Sequence, residues 1–188
     1  MTPDEARRWL YEWVEAESLR RHCLAVATIL RAYAEQAGED ADLWEAVGLL
    51  HDFDWERHPT LDLHPMAGVE VLRAAGVDET VCRAVASHAR HTGVPRETPL
   101  EKTLFACDEL AGFITAVALM RPTRLAGMEA RSVRKKMKDK AFAAAVSRED
   151  IVDGAAELGV DLNEHINFCI AALQPIAAEL GLSPEGEA

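Results

Sequence analysis

No apolar run in this chain approaches the roughly 18 residues that a membrane-spanning helix needs. The alternating apolar and polar series of a half-buried strand is missing too, as is any Asn-Gly hairpin turn. There is no glycine-rich phosphate loop and no arrangement that suggests a Ser-His-Asp triad. The four cysteines, Cys23, Cys82, Cys107 and Cys169, form no CxxC pair, so they read as buried free thiols and not as a zinc–thiolate site. Basic residues are scarce, 20 against 32 acidic, and the formal charge of −12 disfavours non-specific binding to nucleic acid or anionic membranes. A small anionic substrate remains compatible with that total, because a local field can differ from the net charge. The polar start Met1-Thr2-Pro3-Asp4 is unlike a signal peptide, so the expected location is cytoplasmic. With 188 residues, 49% of them hydrophobic, one domain over 1–188 is expected.

What is present is helical periodicity. Thr2-Pro3-Asp4-Glu5 spells a capping box with proline at the first helical position, opening a helix to about Ala16. Ser18 is the expected cap of a second helix that Gly38 stops. A third spans about Asp42 to His51. The stretch from Phe53 to His64 reads as a loop, and Pro65 opens a short helix up to Gly76. Asp78 caps another that leads to His88, and Thr98-Pro99-Leu100-Glu101 repeats the capping box. A basic helix is expected over about 125–146, then one from Ser147 to Gly159. The last runs from Asn163 to Leu180 with a kink at Pro175, and the tail after Leu182 should fray. The expectation is an all-α, orthogonal multi-helix bundle.

Against this apolar background six polar residues stand out. His22 shares a helix side with Val26, Ile29 and Tyr33. His51-Asp52 closes the run Leu49-Leu50. His64 precedes a helix, His88 ends one, and Asp108 lies on the stripe Leu100, Leu104, Ala111. Imidazoles and carboxylates are costly to bury unless paired or metal-bound, and both donor types suit borderline or hard divalent ions such as Fe, Mn, Zn, Co or Ni. Each also has a local explanation. His22 could be a hydrogen-bonded core histidine, and His51-Asp52 a helix-terminal pair. Asp108 could cap a neighbouring helix. His64 could cap the helix at Pro65, and His88 could favour a helix C-terminus.

The order His22, His51-Asp52, Asp108 resembles the pattern of the HD superfamily of metal-dependent phosphohydrolases. His64-Pro65-Met66-Ala67-Gly68-Val69 is similar to the second-histidine segment of its HDIG-type branch, and the match runs over about residues 18–115, with C-terminal helices over about 123–182. The resemblance implies one or two divalent transition-metal ions. His22, His51, Asp52 and Asp108 would hold the first; His64 and His88 would recruit the second, with Asp52 bridging. Two departures matter. Ala89 follows His88 where some two-metal relatives have a second histidine, and Phe53-Asp54 stands where some relatives place a catalytic lysine.

The implied activity is hydrolysis of a phosphomonoester, a nucleotide or a phosphodiester by metal-activated water, with Asp52 accepting or orienting the proton of the nucleophile. Asp54, Glu56 and His91 are candidates for the acid that protonates the leaving group, and His91 could equally be a ligand, a substrate contact or a surface residue. Trp55 lies beside the proposed site loop. Arg131, Arg134, Lys135, Lys136, Lys138 and Lys140 place six cations in ten residues. They form either a solvated helix face or, through Lys136 with Arg121, a grip on substrate phosphate. No aromatic residue interleaves with them, which argues against nucleic acid as partner. His58 and His165 are not expected to be ligands. Two other functions remain open: a non-catalytic metal- and nucleotide-binding regulatory module, and a di-iron oxygenase. The stripe Ile166, Ile170, Leu173, Ile176, Leu180 could pack internally or across a homo-oligomer.

Overall fold

Side-chain caps and glycine stops divide the chain into nine α-helices, and no strand occurs among the residues 1–184 that the computed structural model describes. They are α1 (Pro3–Trp13), α2 (Glu17–Ala37), α3 (Ala41–Leu50), α4 (Met66–Ala74), α5 (Glu79–Ser87), α6 (Pro99–Leu119), α7 (Ala130–Met137), α8 (Arg148–Leu158) and α9 (Leu162–Leu173). The all-helical expectation holds. Among these residues no helix is long and apolar enough to cross a membrane. The expected fraying past Leu182 falls mostly on residues outside those described.

The caps act as the sequence implies. Thr2 accepts from Glu5 N–H while the Glu5 carboxylate accepts from Thr2 N–H at 2.8 Å. Thr98 and Glu101 repeat the exchange at α6. Asp40, Asp78 and Ser147 cap α3, α5 and α8, and Gly38 and Gly159 end α2 and α8 with φ of 72° and 76°, a region open to glycine.

Three boundaries differ from expectation. Ser18 does not cap α2. Its N-cap is Ala16, which has no capping side chain, and the Glu56 carboxylate accepts from Glu15 N–H and Ala16 N–H instead, both at 3.0 Å. The basic helix shrinks to α7, because Gly127 turns the chain before it (φ 60°) and Asp139 accepts from Ala141 N–H and Phe142 N–H in a turn after it. Pro175 ends the last helix instead of kinking it; beyond α9 the chain continues as a 3₁₀ turn.

The chain divides into two compact units, 1–105 and 106–188, with the divide inside α6. In the first, α3 is the central element, packed on α1, α2 and α5, while α4 packs on α5. Its core includes Ile29, Leu30, Val47, Leu49, Leu50, Phe53, Val69 and Leu72, all fully buried. In the second, α9 packs on α7 and α8. Of the stripe, Ile166, Ile170, Leu173 and Leu180 are buried within the chain and Ile176 is half-buried. Asn167 also caps α7, accepting from Ala130 N–H at 2.8 Å.

α3 can lie close on α2 because position 48 is glycine. A Cβ at Gly48 would sit 2.4 Å from Ala27 Cα and 2.7 Å from Ala27 N, both backbone atoms. Gly48→Ala is therefore expected to destabilise the protein by about 1–3 kcal/mol, although alanine is the better helix former. A urea midpoint equal to that of the parent protein would refute the close-packing account.

Candidate metal centre

Helix ends aim the histidines of the first unit. His51 follows the last residue of α3, and its Nδ1–H donates to the Gly48 carbonyl three residues back, at 2.8 Å. His88 repeats this at the end of α5, donating to Val85 O at 2.6 Å. A carbonyl only accepts, so each neutral ring has its proton on Nδ1 and a lone pair at Nε2. His64 comes from the loop before α4, and its Nδ1–H donates to the Asp54 carboxylate at 2.8 Å. The three Nε2 atoms point inward, each behind a fixed tautomer, as metal-binding histidines require.

They converge on Asp52. One carboxylate oxygen, Oδ1, lies 3.2 Å from His64 Nε2 and 3.4 Å from His88 Nε2. The other, Oδ2, lies 3.8 Å from both His22 Nε2 and His51 Nε2, and these two nitrogens are themselves 3.2 Å apart. Asp52 thus stands between two imidazole pairs. Lone pairs facing a carboxylate repel unless a cation lies between them, either a proton or a metal ion. The ligand atoms of Asp52, His64 and His88 all fall within 4.8 Å of one another, a spread compatible with one shared ion. The donor set of imidazole and carboxylate fits a divalent transition metal.

The electrostatics follow this geometry. Burial works against the Asp52 carboxylate, but His51 and, when their Nε2 carries a proton, the hydrogen bonds from His64 and His88 hold it well below the usual carboxylate range. Burial also opposes a charged His64, yet its bonds to Asp52 and Asp54 override burial and push it up to about 9. The local explanation of His64 as a helix cap fails, since α4 has Pro65 at its N-cap and no side-chain cap. For His88 and His51 the helix-end bond and the convergence on Asp52 coexist, one on each ring nitrogen.

Other candidates have different positions. Asp54 is fully buried, accepting from His64 Nδ1–H and, at 3.0 Å, from Gly68 N–H. That makes it a support for His64, not an exposed acid. Glu56 is engaged at the start of α2. The His91 ring binds the His64 carbonyl through Nε2 at 2.8 Å and so fastens the same loop. Asp108 is a half-buried residue of α6 in the second unit. Arg121 donates to Arg124 O, Thr123 Oγ1 and Ala126 O of the turn that follows it and to Ser132 Oγ of α7, so its guanidinium ties that turn to α7 and is not held open for phosphate. Lys136 lies over the Phe142 ring, 3.9 Å from Asp139.

Two contributors are not evident from spacing. Gly68 lets α4 approach Asp54 and Phe53: a Cβ there would meet Asp54 Cγ and Phe53 Cε1 at 2.8 Å. Phe53, where some relatives place a lysine, is instead buried against Trp9 and Trp13. Beside the cluster, His22, Trp55, Glu56, Pro59, Ser18 and Leu19 line a cavity of about 440 Å³.

The sign of the pH effect is set by His64. Its folded value of about 9 exceeds the ordinary 6.5, so metal-free protein gains stability that is complete below 6.5 and lost as pH rises through 9. Urea midpoints of metal-free protein should fall over that window, and Asp54→Asn should flatten the fall. A flat profile in the parent would contradict the Asp52–His64–Asp54 bonding. Because a metal must displace the same proton, metal affinity should rise with pH across the window.

The domain model described as HD domain matches residues 19–112, half of the chain. Ribonuclease Y 2 of Levilactobacillus brevis is 29% identical over 106 residues, 56% of this chain and 19% of that protein. Ribonuclease Y 1 of Pediococcus pentosaceus is 28% identical over 102 residues, 54% and 19%. The chain thus spans about a fifth of the length of these curated relatives. No solved structure matches. On the family match and the converging His–Asp cluster, the chain belongs to the HD domain family.

Proposed function

We propose that this chain is a metal-dependent phosphohydrolase acting on a phosphomonoester, a nucleotide or a phosphodiester. The observation that carries the reading is Asp52, whose two oxygens face two separate imidazole pairs. His22, His51 and Asp52, with Asp108 supplied by the family pattern, would hold one ion; His64 and His88 would hold a second, with Asp52 between. Bound there, divalent ions lower the pKa of water towards neutrality and polarise a phosphoryl oxygen.

The chain's own groups have distinct tasks. Gly48 O, Val85 O and Asp54 hold the Nδ1 protons, which keeps three Nε2 lone pairs available. Asp52 orients the attacking water and accepts its hydrogen bond. The cavity receives the body of the substrate, with Trp55, Leu19 and Pro59 as apolar walls and Ser18 and Glu56 as polar ones. Among the described residues no Lys or Arg lines it, so phosphate charge must be met by the ions themselves. That fits a small substrate held by its non-phosphate part. The relatives are named ribonucleases, so short RNA belongs among the compounds to test.

Purified protein is expected to contain a divalent transition metal and to hydrolyse at least one compound from a panel of phosphomonoesters, nucleotides, dinucleotides and short RNA. His51→Ala and Asp52→Ala should lose turnover and the metal bound at this centre, whereas Asp54→Asn should lower either by about 10–100-fold. Metal content equal to that of the parent in both the His51 and Asp52 variants would overturn the site. Tight nucleotide binding without product would favour a regulatory module, and substrate-dependent oxygen consumption a di-iron oxygenase.

A further inference from the structure

A second convergence of ligand-type side chains lies in the unit formed by residues 106–188. Cys107 of α6 meets His165 and Cys169 of α9, and their donor atoms all fall within 4.8 Å of one another. Both cysteines are fully buried, and His165 is 1% exposed. His165 and Cys169 are four residues apart, so both leave the same face of α9. His165 Nε2–H donates to the Ala106 carbonyl at 2.9 Å. That fixes the tautomer and leaves the Nδ1 lone pair 3.7 Å from Cys169 Sγ. One ring nitrogen bound to a backbone carbonyl, the other turned towards a common centre, is the arrangement of His51 and His88.

We propose that Cys107, His165 and Cys169 form a separate metal site for a soft d¹⁰ ion, zinc or cuprous copper. Thiolate sulfur selects such ions, whereas the cluster around Asp52 offers only nitrogen and oxygen. The cysteine site therefore differs from the proposed catalytic one in offering sulfur. Two thiolates and a neutral imidazole around zinc give a complex with no net charge, the form that burial tolerates best. Cuprous copper is satisfied by the three donors that the group presents. On binding, each thiol releases its proton to solvent and forms one sulfur–metal bond, so binding tightens as pH rises. The ion's role is structural: it ties α9 to α6 from inside the unit.

The test uses the full chain, reduced and refolded under nitrogen with Co²⁺. An intense near-ultraviolet thiolate-to-cobalt band is expected, which the nitrogen and oxygen donors around Asp52 cannot produce. Zn²⁺ or Cu⁺ should bleach it, and competition between these two identifies the preferred ion. Cys107→Ser and Cys169→Ser should each abolish the band. Should either variant fail to fold, X-ray absorption of zinc-loaded parent protein decides: sulfur neighbours around the ion support the site. No cobalt band, or a zinc shell of nitrogen and oxygen alone, overturns it, whatever the phosphohydrolase assays return.

Discussion

A carboxylate with only 17% of its side chain exposed, set among imidazoles, dictates much of the first unit's construction. Asp52 must stay ionised against burial, and four histidines supply what water would otherwise provide. Those rings are useful only if their orientation is fixed. Two of the four are therefore fixed by helix ends, where the carbonyl three residues back accepts the Nδ1 proton. A helix terminus leaves such carbonyls without intrahelical partners, so the group that satisfies the helix also sets the tautomer of the ligand. His64 has no helix end behind it and uses a buried acid, Asp54, which Gly68 N–H holds in turn.

The loop after Asp52 is tied down at several points, and each tie also serves a neighbour. Phe53 packs against Trp9 and Trp13 of α1. Glu56 accepts from Glu15 N–H and Ala16 N–H just before α2, and Arg57 donates to Glu12 O at 2.7 Å. The same segment presents Trp55 to the cavity while its ring meets His64 edge-on at 4.9 Å. A loop anchored this way is a wall of the cavity and not a free flap.

The helices were readable because their signals are local. Capping boxes, glycine stops and a 3.6-residue period lie within a few residues of the structure they determine. The same holds for His51, Asp52, His64 and His88, whose helical settings together resemble one family. What sequence could not assign was direction and partnership. Asp54 read as an acid facing substrate, and only the fold reveals that it faces His64 and Gly68. Arg121 read as a phosphate ligand, but three of its acceptors lie in the turn after α6 and the fourth, Ser132 Oγ, on α7. Ser18 was the expected cap because it is near in sequence; α2 has no side-chain cap, and Glu56, 40 residues away, ties down the chain just before it. Cys107 and His165 are likewise remote in sequence, and without a CxxC pair nothing local marked them as neighbours.

α6 carries the consequence of that last pairing. Cys107 and Asp108 are adjacent, and a helix turns about 100° per residue, so the two side chains leave it in different directions. Cys107 is directed into the buried group with α9, while Asp108 is the acid that the resemblance would place at a metal. Neither can move along the helix axis without the other, because the i to i−4 bonds fix their separation. Whatever fixes Cys107 therefore also fixes the height and rotation of Asp108. Three converging donors, Cys107, His165 and Cys169, join α6 to α9 within the second unit, one residue from Asp108.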